Sequence, residues 1–159
     1  MLGVGTMKIS RVLVGAAAGI LSLALATPSA AQGCWNGSTV KAAKIRDLQT
    51  ILMVGALQCR GSGHDVLADY NRFVKKHRVA IAAHNDVLKS HFVRTGNARG
   101  YDRFTTALAN GRSADTVDPD FCRQTAALAR DLANASPAEI EAAAERLGAT
   151  PKGVGRVCS

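Results

Sequence analysis

Four cysteines, Cys34, Cys59, Cys122 and Cys158, stand in a chain whose long segments otherwise read as helix, and they restrict the fold more than any other feature. An even number of thiols in an exported chain favours a disulfide framework. The stretch from about Ser38 to Cys59 has helical periodicity, and a helix of that length is a rod of roughly 33 Å. Bridged cysteines need Cα atoms within about 7 Å, so Cys34 and Cys59 cannot pair with each other. Following the chain up one helix, down the next and partly back brings Cys122 near the Cys59 end. That favours Cys59 with Cys122 and Cys34 with Cys158, and leaves Cys34 with Cys122 and Cys59 with Cys158 as the open alternative. None of the four forms the Cys-x-x-Cys knuckle that zinc prefers.

The compartment comes from the first thirty-one positions. Lys8 and Arg11 precede an apolar run from Val12 to Ala26, and small residues follow in Thr27-Pro28-Ser29-Ala30-Ala31. This is the pattern of a secretory signal peptide, with cleavage expected after Ala31. The run is shorter than the ~20 residues a membrane span needs, so no transmembrane segment is expected after cleavage. Cys34 lies close enough to the cut for lipidation to be weighed, but Ala31-Gln32-Gly33 lacks the aliphatic residue usual in a lipobox. Residues 1–31 read as a cleaved signal and 32–159 as a single helical domain, periplasmic or secreted.

Periodicity at three and four residues runs through every long segment. The first helix should start from a Ser38 or Thr39 cap and place Ile45, Leu48, Leu52, Gly55 or Ala56, and Cys59 along one seam. Ile51 to Leu57 is apolar on all sides, the signature of a buried helix. After Gly61-Ser62-Gly63, a second helix is expected from His64 to about Arg94. In it Leu67, Val74, Ile81 and Leu88 recur seven apart, and Tyr70, His77, His84 and His91 fill the intervening seam. A short third helix, Tyr101 to Ala109, should close at Asn110-Gly111. A polar stretch with Asp115 and Asp118 leads to a fourth over Pro119 to Asn134, and Ser136-Pro137-Ala138-Glu139 forms a capping box for a fifth. The fold class is therefore all-α: a small disulfide-stapled bundle of four to five helices.

The chain has twenty basic and twelve acidic residues; the signal holds two of the basic and none of the acidic, which leaves +6 on residues 32–159. Such a balance favours an anionic surface, phospholipid headgroups or lipopolysaccharide. Export and the scarcity of aromatics among the arginines argue against nucleic acid.

Two constellations carry possible chemistry. His77, His84 and His91 are about 10.5 Å apart along a helix axis, too far for one helix to chelate a metal, but a half-buried histidine seam can respond to pH near 6.5. Cys59-x-x-x-x-His64-Asp65, with Tyr70 and Asn71 beyond it, resembles the active-site helix of secreted phospholipases A2, whose small bacterial members are exported, helical and doubly disulfide-bridged. The resemblance implies that His64 activates water, Asp65 holds Ca²⁺ and Asp86 orients His64. That family sets its second carboxylate on a partner helix, whereas His64 and Asp86 here fall on one periodic segment.

The segments Lys44-Ile45-Arg46-Asp47-Leu48-Gln49, Asp69-Tyr70-Asn71-Arg72-Phe73 and Tyr101-Asp102-Arg103-Phe104 resemble a family of small exported alphaproteobacterial proteins with no established activity. Some members carry the label S-adenosyl-L-homocysteine hydrolase, which conflicts with that enzyme's long, cytoplasmic, NAD-binding chain. The leading expectation is a non-catalytic envelope or binding module, with no cofactor and no metal, whose partner is an envelope protein or an anionic surface. Arg94 to Gly100 and Tyr101-Asp102-Arg103 form the first surface suspected for that partner. The rivals are a calcium-dependent hydrolase through His64 and Asp65, and a metal- or pH-responsive protein through His77, His84 and His91.

Overall fold

The computed structural model describes residues 33–114 and 118–158. The signal segment, the cleavage site and Asp115 lie outside the described residues. Five helices follow in order, α1 (Gly37–Gln58), α2 (Leu67–Arg94), α3 (Gly100–Ala114), α4 (Pro119–Asn134) and α5 (Pro137–Arg146). The all-α, disulfide-stapled bundle is the fold observed.

Helix α1 is the centre, in contact with each of the other four. Its seam of Ile45, Leu48, Leu52 and Ala56 is buried against Phe73 and Ile81 of α2, Ala126, Ala129 and Leu132 of α4, and Ile140, Ala143 and Ala144 of α5. Full burial of a side chain such as Leu48 or Phe73 stabilises by about 1.5–3 kcal/mol. A second cluster forms at the other end, where Trp35, Ala42 and Ala43 meet Leu88, Phe92, Phe104 and Leu108. The all-round burial expected of Ile51 to Leu57 is not met. Leu57 is 59% exposed, because it sits two positions, or about 200°, from Gly55, the residue that faces Val66 and Thr125.

Three boundaries also differ from the sequence reading. Asn36, not Ser38 or Thr39, caps α1: its Oδ1 accepts from the Thr39 amide at 2.9 Å and from both hydroxyls. Helix α2 begins at Leu67 rather than His64. Gly61 and Gly63 take positive φ values of 79° and 82°, and Asp65 Oδ1 accepts from the Leu67 amide at 2.9 Å, so the connection is a folded turn up to Val66. Helix α3 continues through Asn110-Gly111 to Ala114. The extra turn carries Arg112, whose Nε and Nη2 donate to the two carboxylate oxygens of Asp47, buried on α1. Helices α4 and α5 start where expected, α4 under the Asp118 cap and α5 under the reciprocal Ser136–Glu139 capping box.

The disulfides are Cys34–Cys158 and Cys59–Cys122, with Cα atoms 5.2 and 5.5 Å apart. The Cys34 sulfur is thereby bonded to protein, not left as a thiol for lipid. Beside it Trp35 donates its amide to Arg156 at 2.8 Å and accepts from the Cys158 amide at 2.9 Å, a short parallel bridge that holds the tail onto the entry to α1.

At Gly55 the axis of α1 comes so close to α4 that a Cβ would collide with the Thr125 methyl. Thr125 is buried and β-branched, hence stiff at χ1. Gly55→Ala should therefore lower the thermal midpoint, the overpacking cost of about 1–3 kcal/mol outweighing a helix-propensity gain of roughly 1 kcal/mol. A midpoint that rose instead would show that α4 moves aside freely.

Candidate functional site

Helix α2 carries most of the residues singled out from the sequence, and its two faces differ in kind. With no proline or glycine over its 28 residues, it runs uninterrupted, and its inner face buries Phe73, His77, Ile81, Leu88, His91 and Phe92. The three histidines of the seam meet three different neighbours. His77 is buried beside Phe73, with Nε2 3.1 Å from the Leu132 carbonyl of α4, so the neutral ring donates from Nε2. His84 is half-buried near Glu141 of α5 and Lys41 of α1, which pair with each other at 2.8 Å. His91 lies against the Trp35 indole, ring centroids 4.4 Å apart, and against Phe92. The structure does not bring the three together, and among the described residues no group of three or more His, Cys, Asp or Glu could hold a metal ion.

The outer face is cationic. Arg72, Lys75, Lys76, Arg78, Lys89 and Arg94 are exposed, against one exposed carboxylate, Asp86, which Lys89 approaches at 3.4 Å. Asp69, the other acid of the helix, is buried and bonded by Arg72. Lys76 donates to the Asn134 carbonyl at 2.6 Å. The loop suspected from sequence continues this face: Arg103 donates to Asn97 Oδ1, Gly100 packs where a Cβ would strike Phe92 and Asn97, and Tyr101 lies under the Lys89 ammonium at 5.5 Å. Net charge hinted at this surface; projecting the lysines and arginines of α2 onto a helical wheel would have located it.

His64 and Asp65 stand in the turn before α2, lining an open hollow with Arg60, Gly61, Gly63 and Leu67. Asp86 is in the last third of α2, so the structure does not place it beside His64. Tyr70 is half-buried against the main core next to Gln49 and Arg46, and burial raises its phenol above the usual value. A further cavity, of about 270 Å³, opens between α1, α3 and the tail, lined by Asp47, Arg112, Thr150, Pro151 and Lys152 among others. Sequence reasoning had no signal for the Asp47–Arg112 pair, because 65 positions separate its members.

Burial holds all three seam imidazoles below their ordinary value. For His77 the Leu132 carbonyl partly opposes this and Lys76 adds to it; for His84 Glu141 opposes and Lys41 adds; for His91 Arg94 adds. The unfolded chain therefore binds more protons than the native one below about pH 6.5, and stability drops as pH falls through that value toward the lower folded ones. The thermal midpoint should decline between about pH 7.5 and pH 5, and His77→Gln with His91→Phe should flatten the decline. A midpoint constant across that window would dispose of the titrating seam.

Comparison with known protein families, with curated proteins and with solved structures finds no match to this chain.

Proposed function

We propose that the chain works outside the cytoplasm as a non-catalytic binding module. The observation that carries this reading is the division of labour on α2, whose inner face holds His77 and His91 in the interior while its outer face carries six exposed cations against one exposed carboxylate. His77 and His91 are packing groups, Asp65 holds the turn that starts α2, and Asp47 is occupied by Arg112. Two disulfides suit an oxidising compartment, and among the described residues no helix is long and apolar enough to cross a membrane. The signal-like first thirty-one residues support the same location.

A thermal-shift titration of the oxidised 32–159 chain with Ca²⁺, run beside a phospholipid-hydrolysis assay, tests the reading. No saturable shift and no fatty-acid release are expected, for the wild type and for His64→Ala alike. Ca²⁺-dependent hydrolysis that disappears in His64→Ala would overturn the module and establish the hydrolase.

A further inference from the structure

We propose that the outer face of α2 docks on an anionic phospholipid surface, the helix lying along the plane of the headgroups. The proposal rests on the binding-module reading and names the partner. On a helical wheel the exposed residues of α2 form one sector. Val79 and Val93, 75% and 64% exposed, lie near its middle with Lys75 and the carboxylate Asp86, and Ala82 and Ala83 lie nearer its margins. Arg78 and Lys89 flank them on one side, and Arg72, Lys76 and Arg94 on the other. No carboxylate of the described residues is within ion-pair distance of Lys75, Arg78 or Arg94. This sector, six cations and two exposed valines against the single exposed carboxylate Asp86, has the charge and apolar content of a helix that rests on a lipid interface.

Charge complementarity selects the occupant. Cations occupy both ends of α2, from Arg72 to Arg78 and from Lys89 to Arg94, and Arg99 and Arg103 extend them past its end. The carboxylates gather elsewhere, as in Glu139, Glu141 and Glu145 of α5. A second copy is disfavoured, since two such faces repel. A single nucleic-acid strand would want aromatic platforms, and the outer sector of α2 has none. Two valines are too small an apolar area to insert deeply, so attraction to anionic headgroups dominates and salt screens it. The face needs no folding on contact, because Phe73, Ile81 and Leu88 already pin the helix from behind.

The test is co-sedimentation of the oxidised 32–159 chain with vesicles of equal parts phosphatidylglycerol and phosphatidylcholine, and with phosphatidylcholine alone. Binding is expected only to the anionic vesicles at about 50 mM salt, and is lost at about 500 mM. Lys75→Glu/Arg78→Glu/Arg94→Glu should weaken it at least about tenfold, while Arg60→Glu/Arg130→Glu/Arg146→Glu, with the same change in net charge, should weaken it less than about threefold. Circular dichroism checks that both remain helical, and glutamine at the same three α2 positions replaces glutamate if the first does not fold. Absence of wild-type binding, or equal weakening by the two triple variants, overturns the docking face and leaves a protein-binding module standing. Fatty-acid release from the same vesicles would instead overturn the module itself.

Discussion

Everything in this bundle depends on α1 being thin enough for four helices to reach it. Ala42, Ala43, Gly55 and Ala56 lower its surface where neighbours approach, and Leu48 and Leu52 fill the spaces between. A helix so surrounded cannot hide polar groups without partners, and it supplies them locally. Thr50 returns its hydroxyl to the Arg46 carbonyl at 2.8 Å, and Thr39 bonds the Asn36 cap. Asp47 is the one carboxylate buried in α1, and removing its partner would leave an uncompensated charge in the interior, a loss of about 3–5 kcal/mol for fully buried pairs and less here, because the Arg112 side chain is 33% exposed. The same contact sets the length of α3, since only a helix carried past Gly111 can deliver Arg112 to α1.

The disulfides act at the places where this arrangement has least else to hold it. Cys59–Cys122 joins the end of α1 to the first turn of α4, across the turn containing Gly61 and Gly63. Cys34–Cys158 joins the two ends of the described chain over an aromatic cap of Trp35, His91, Phe92 and Phe104. Phe, Trp and Tyr are only 4% of the sequence, and three of them, with the His91 imidazole, are concentrated here. Closing loops 63 and 124 residues long restricts the unfolded chain and can contribute about 2–4 kcal/mol for each bridge. That is a large share of the 5–15 kcal/mol typical of a domain.

What was legible in the sequence was whatever local rules decide. Ser136, Pro137 and Glu139 announced α5, Pro119 announced α4, and helix length alone ruled out the Cys34–Cys59 bridge. Local rules misled wherever a tertiary contact overrode them. Asn110-Gly111 looks like a helix stop, but Arg112 gains the Asp47 carboxylate on α1 if the helix goes on. His64-Asp65 looks like the start of a helix, but the glycines before it adopt positive φ and Asp65 bonds forward to Leu67. The candidate site divided in the same way. The histidine repeat was visible as a seam, but nothing in a period of seven says that one ring will meet a carbonyl, another an ion pair and the third an indole.

The cations of α2 pose the converse question, because local rules are broken there with only partial relief, Arg72 bonding the buried Asp69 and Lys76 the Asn134 carbonyl. Arg72–Lys75, Arg72–Lys76 and Lys75–Arg78 are like-charge pairs at helical spacing, and each costs a helix about 0.2–0.5 kcal/mol. Asp69 relieves Arg72 alone, and the glutamates are placed on α5, where Glu141 and Glu145 pair with Lys41 and Lys44 of α1. The repulsion, about 1 kcal/mol in all, is tolerated because the inner face of α2 is held by Phe73, Ile81 and Leu88, each side chain outweighing the whole sum on burial. A surface kept in local conflict on a well-anchored helix is where a functional contact is expected. Only a partner of opposite charge turns the conflict into attraction.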